Sequence, residues 1–104
     1  MHIQFNTDKN ISIGEEQINY FTSLIKDELI RFNTQITRLE IHFSDENGTK
    51  DGFNDKRCMI EARLTGMKPI AVSDHANTAE QSVFGAIEKL KTSLESLMGR
   101  LKDH

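Results

Sequence analysis

The stretch Ile36–Ser73, ITRLEIHFSDENGTKDGFNDKRCMIEARLTGMKPIAVS, decides the fold. It holds three runs in which apolar and polar residues alternate, the period of a half-buried strand. In Ile36–Ser44, Leu39, Ile41 and Phe43 face one way while Arg38, Glu40 and His42 face the other. In Arg57–Thr65, Cys58, Ile60, Ala62 and Leu64 point inward and Arg57, Met59, Glu61 and Arg63 outward. In Lys68–Ser73, Ile70 and Val72 point inward, and Pro69 removes a ladder donor, which puts this strand at a sheet edge. The Asn-, Gly- and Asp-rich segment Asp45–Asp55 reads as a loop and Gly66 as a turn. Three short strands in succession make a meander with one dry face and one wet face.

Upstream, His2–Asn6 alternates too, with Ile3 and Phe5 inward. Ile18, Phe21, Ile25, Leu29 and Phe32 then recur at three- and four-residue steps within an arc of about 80°, which predicts a helix over Glu15–Phe32. Ser12 with Glu15 three residues on resembles a capping box. Downstream, Ala79, Val83, Ile87, Leu90, Leu94, Leu97 and Leu101 form one stripe along a long helix within Ala76–Leu101. Asp74 and Asn77 are both N-cap types, and Gly85 and Gly99 weaken that helix locally. The order is β-α-β-β-β-α. It predicts an α+β fold: a four-stranded mixed sheet whose first two strands are joined by a right-handed parallel crossover, with two helices packed on one face.

The 104 residues, 37% hydrophobic, suffice for one core and predict a single domain over 1–104. The start of the chain has no signal-peptide pattern, and no apolar run approaches the roughly 18 residues that span a bilayer, so a soluble, cytoplasmic protein is expected. One cysteine excludes an internal disulfide and a Cys-rich zinc module. The formal charge of −3 does not mark a nucleic-acid binder. Asp45–Asp55, with four acids and one lysine, carries that surplus alone, so the remainder is balanced and open to a basic face.

No phosphate loop, dinucleotide fingerprint, nucleophile elbow or zinc helix occurs. His2, His42, His75 and His104 lack ligand spacing, and Asp45, Asn47 and Asp51 do not make a calcium loop. Glu40 and Glu61 lie among Arg38, Arg57 and Arg63, as surface ion pairs do. No active site is expected, and neither a cofactor nor a metal.

The last helix has two unlike flanks. Lys91 and Lys102 lie among Glu80, Glu88 and Glu95. The other flank holds Ser82, Lys89, Ser93, Ser96 and Arg100 with no acid. Lys89 and Arg100 are roughly 16 Å apart along the axis, so the strip can meet phosphates along a nucleic-acid backbone. Ordinary solvation of a long helix accounts for the same residues.

The run ARLTGMKPIAVSD (Ala62–Asp74) and the helix AIEKLKTSLESLMGRLK (Ala86–Lys102), in this element order, resemble the short ribosome hibernation promoting factors and ribosome-associated inhibitors. The resemblance implies two helices on one face of a four-stranded sheet. It implies binding to rRNA of the small ribosomal subunit, in the channel of mRNA and tRNA, and silencing of ribosomes under stress. It implies no enzymatic activity, no cofactor, no membrane and no small-molecule substrate. Lys89 and Arg100 are the best matches to the family's rRNA-contacting helix residues. Lys91, Lys102, Arg57 and Arg63 are secondary candidates for rRNA binding, because acids stand near the lysines and the arginines sit on the open sheet. Four phosphate contacts would give log K against log salt a slope of roughly −3. The alternative is a protein-interaction module that keeps the fold and uses the acidic loop, or the exposed sheet around Met59.

Overall fold

Alternating side chains and a matching register build the sheet. In the computed structural model, which describes residues 1–46 and 54–102 apart from the side chains of 101 and 102, four strands lie in the order β1-β2-β3-β4. They are β1 (His2–Thr7), β2 (Ile36–Asp45), β3 (Lys56–Leu64) and β4 (Ile70–Ala76). β1 pairs parallel to β2, and β2, β3 and β4 form an antiparallel meander, as the sequence predicts. β4 is an edge strand, and Pro69 lies just before it, where its missing N–H breaks no ladder.

The register fixes two faces. Ile3, Leu39, Ala62 and Ile70 stand side by side, as do Phe5, Ile41, Ile60 and Val72. On the other face Glu40 stands between Gln4 and Glu61, and Arg38 adjoins Arg63. Like charges there stand opposite one another across β2 and β3. They are relieved along each strand, Arg38 pairing with Glu40 at 3.0 Å and Arg63 with Glu61 at 3.6 Å. The register slips between Ile36 and Arg38, so Ile36 and Leu39 are both buried although three residues apart.

Helices α1 (Glu15–Glu28) and α2 (Ala79–Lys102) cover the apolar face. Phe21 and Ile25 from α1, and Val83, Ala86, Ile87, Leu90 and Leu94 from α2, meet Leu39, Ile41, Phe43 and Ile60 in one core. Each fully buried Leu or Ile contributes on the order of 1.5–3 kcal/mol. α1 ends earlier than its periodicity predicts: a 3-10 turn over Ile30–Phe32 tightens the chain and still delivers Leu29 and Phe32 to the core. The predicted Ser12–Glu15 box is replaced by Gly14 and Gln17, the Gly14 N–H donating to Gln17 Oε1 at 3.2 Å. α2 is capped by neither Asp74 nor Asn77. Thr78 Oγ1 accepts from the Gln81 N–H at 3.1 Å. Asn77 Oδ1 instead accepts from the Asn54 N–H at 2.8 Å, fastening the hairpin base to the strand–helix turn.

The ends of Asp45–Asp55 are not solvated loop. Asp45 and Asp55 are buried, and Lys56 Nζ lies 2.9 Å from a carboxylate oxygen of each. Hydrogen bonds to Asp45 and Asp55 raise the Lys56 pKa above its ordinary value. Glu46 approaches Arg57 at 3.8 Å and His75 at 3.0 Å. Three of the four acids credited to a free loop are thus engaged with the sheet. The remaining residues of that segment, 47–53, lie outside the described residues. Among those described, no helix is long and apolar enough to cross a membrane.

Candidate nucleic-acid interface

α2 offers side chains on both sides of its buried stripe, and the two sides meet different neighbours. Toward α1, Lys91 Nζ lies 3.0 Å from Glu28 Oε2 and 3.7 Å from Glu88, while Glu95 takes Arg31. The hydrogen bond to Glu28 is the main cause of a Lys91 pKa raised above its ordinary value. The sequence anticipates neutralisation of Lys91 by Glu88 and Glu95, but Glu95 pairs with Arg31 on the 3-10 turn instead. Glu28, the nearer partner, lies on another element.

Toward β4, the flank free of acids along the helix acquires one from the sheet. Lys89 Nζ sits 3.0 Å from Asp74 Oδ1 and donates to the Ser73 carbonyl at 2.8 Å. Asp74 belongs to the inward face of β4, in register with Cys58. It reaches the helix because residue 85 is glycine: a Cβ there would stand 1.7 Å from Asp74 Oδ2. Ser82, assigned to this solvated flank from its angle, is buried, and its hydroxyl donates to the Ala79 carbonyl at 2.7 Å.

Arg100 differs. Its guanidinium donates to Ser96 Oγ at 3.2 Å and has no carboxylate partner among the described residues. Arg57 and Arg63 lie on the open sheet face, away from the helices, and each has a glutamate near it. The Lys102 side chain lies outside the described residues. The structure therefore does not gather the predicted residues on one surface. Lys89 and Arg100 share the β4 side of α2, Lys91 faces α1, and Arg57 and Arg63 occupy the far side of the sheet.

A groove of about 540 Å³ runs between α2 and the β3–β4 turn. Met67, Lys68, Pro69 and Ile70 line one wall; Thr92, Ser93, Ser96, Leu97 and Arg100 line the other. A second hollow, lined by Val72, Ser73, Glu88, Lys89, Thr92 and Ser93, shares two of these residues. Lys68 has no ion-pair partner among the described residues. Periodicity places Lys68 at the start of the alternating run Lys68–Ser73, whereas β4 begins at Ile70 and Lys68 lies in the turn before it. Its signal in the sequence is local: no acid occurs from Ala62 to Ser73. Among the described residues no cluster of three metal-type ligands occurs, and Cys58 is fully buried.

A family model described as sigma 54 modulation protein / S30EA ribosomal protein matches residues 5–102. The chain belongs to this family. Solved structures that share the fold of this chain include the following two. The Protein Y N-terminal domain of Thermus thermophilus is 15% identical, with a TM-score of 0.73 over 93% of this chain and 99% of that one. A ribosomal subunit interface protein of Coxiella burnetii is 20% identical, with a TM-score of 0.73 over 95% of this chain and 99% of that one. No curated protein matches the chain in sequence. The resemblance read from Ala62–Asp74 and Ala86–Lys102 is thus correct at the level of the family.

Proposed function

We propose that this S30EA family member is a ribosome-associated factor that binds rRNA of the small subunit and restrains translation under stress, acting by occupancy and not by catalysis. The observation that carries the reading is the family match across residues 5–102. The names of the structural neighbours, one a ribosomal subunit interface protein, support it. The β4 side of α2 adds a chemical reason. Arg100 stands beside the hydroxyls of Ser93 and Ser96, a combination that suits phosphate oxygens and carries no base code. Lys89, Lys91, Arg57 and Arg63 are weaker contacts because carboxylates already occupy them. No cofactor or small-molecule substrate enters this reading.

The test is sedimentation of a stationary-phase lysate through a low-salt sucrose gradient, with detection of this chain. Comigration with small subunits or monosomes is expected. A chain that stays at the top of the gradient overturns the reading.

A further inference from the structure

We infer that Lys68 and Arg100 grip one stretch of RNA sugar-phosphate backbone in the groove between α2 and the β3–β4 turn, and that Asp74 limits this grip by holding Lys89 out of it. The inference rests on the ribosome-binding reading and adds the location and membership of the contact.

Charge pairing selects the groove. Arg31, Arg38, Lys56, Arg57, Arg63, Lys89 and Lys91 each have a carboxylate within 4.0 Å. Of the described lysines and arginines, Lys9, Lys26, Lys68 and Arg100 have none. Two of these four line the same groove, and no carboxylate lines it with them. A phosphate approaching an unpaired cation displaces only water. One approaching a paired cation must compete with a carboxylate already in place.

The other groove residues suit the same occupant. Ser96 Oγ accepts from Arg100, which leaves its own proton to donate. Thr92 directs its hydroxyl to the Glu88 carbonyl at 3.1 Å and keeps acceptor capacity for a ribose hydroxyl. Met67, Pro69, Ile70 and Leu97 supply apolar surface for sugar and base faces. The volume falls within the range of about 300–1,000 Å³ that admits a ligand-sized group. An acidic peptide could meet the same cations and hydroxyls through its carboxylates and backbone amides; RNA is favoured because the inference rests on the ribosome-binding reading, and the experiment separates the two.

Asp74 sets the boundary. The adjoining hollow contains Lys89, whose ammonium is held by Asp74 Oδ1 and the Ser73 carbonyl. Neutralising Asp74 removes the carboxylate within 4.0 Å of Lys89 and makes its ammonium a third cation beside Thr92 and Ser93, with Glu88 the acid that still lines the hollow.

The experiment measures Kd at one low salt concentration for the full chain against purified small subunits and against a labelled single-stranded RNA. It compares Lys68→Glu, Arg100→Glu, Asp74→Asn and Lys26→Glu, the last reversing an unpaired lysine on α1. Lys68→Glu and Arg100→Glu are each expected to weaken both complexes by roughly tenfold. Asp74→Asn is expected to tighten them about threefold, the scale of one exposed ion pair. Lys26→Glu is expected to change little. Circular dichroism establishes that each variant is folded. Wild-type binding to small subunits with Lys68→Glu no weaker than Lys26→Glu overturns the grip and leaves the ribosomal reading standing. Loss of subunit binding with RNA binding unchanged overturns RNA as the occupant in favour of an acidic protein surface. No subunit binding by wild type overturns the ribosomal reading itself.

Discussion

Cys58 sits on the inward face of β3, in register with Phe43 on one side and Asp74 on the other, and is wholly buried. Burial, reinforced by the Asp74 charge, pushes its thiol up to about 12 from 9.0. The folded value exceeds the unfolded one. The thiol's contribution to stability is therefore complete below about pH 9 and is lost as pH rises toward 12. Lys56, raised through Asp45 and Asp55, adds a loss of the same sign above its ordinary 10.5. The urea midpoint is expected to fall between pH 9 and pH 12, and less steeply in Cys58→Ala. At pH 8 a disulfide reagent is expected to label native protein only as fast as it unfolds; rapid stoichiometric labelling would contradict the buried placement. Alternation alone puts Cys58 inside. The same parity puts Asp45 inside, yet composition assigns it to a loop, because an isolated buried carboxylate is too costly. Its partner Lys56 comes from the next strand, and no pattern local to β2 reveals it.

At the scale of elements, strands read more truly than helix ends. The period of two survives tertiary packing because a one-residue slip would turn every apolar side chain to water. The helical period overshoots at Phe32, since a 3-10 turn keeps a residue three positions on near the same face as an α-helix does. Gly85 shows what a one-dimensional reading omits. By propensity it is a defect of about 1 kcal/mol relative to alanine. In the fold it is the gap that admits Asp74 to α2. Gly85→Ala alone is expected to lower stability despite its better helix propensity, because its Cβ would stand 1.7 Å from Asp74 Oδ2 and 2.5 Å from Asp74 Cγ, so the whole carboxyl group must move and the pair with Lys89 is lost as well. Asp74→Ala with Gly85→Ala is expected to recover the propensity gain, giving a coupling of about 1–2 kcal/mol in a urea double-mutant cycle. Equal stabilisation by Gly85→Ala in both backgrounds would mean that the carboxylate swings aside without loss.

The whole molecule carries −3, so no long-range field draws it to RNA, and binding depends on local cations that acids have not already claimed. Most of the candidate site's residue types are legible in the sequence, but the availability of each cation is not. Asp74 and Glu28 reach Lys89 and Lys91 from other elements, and Lys68 meets Arg100 only once the β3–β4 turn lies against α2. This changes the expected thermodynamics. Four contacts would give a slope near −3. Two available cations on a single strand, at about 0.7 per phosphate, give roughly −1.4. Titration of small-subunit binding with potassium chloride is expected to follow the shallower line. Asp74→Asn, by releasing Lys89, is expected to steepen it by about 0.7, and Lys68→Glu to flatten it by a similar amount. A wild-type slope of −3 or steeper would mean that Lys89 and Lys91 leave their carboxylates on binding, so that the ion pairs of the unbound fold are exchanged for phosphates instead of excluding them.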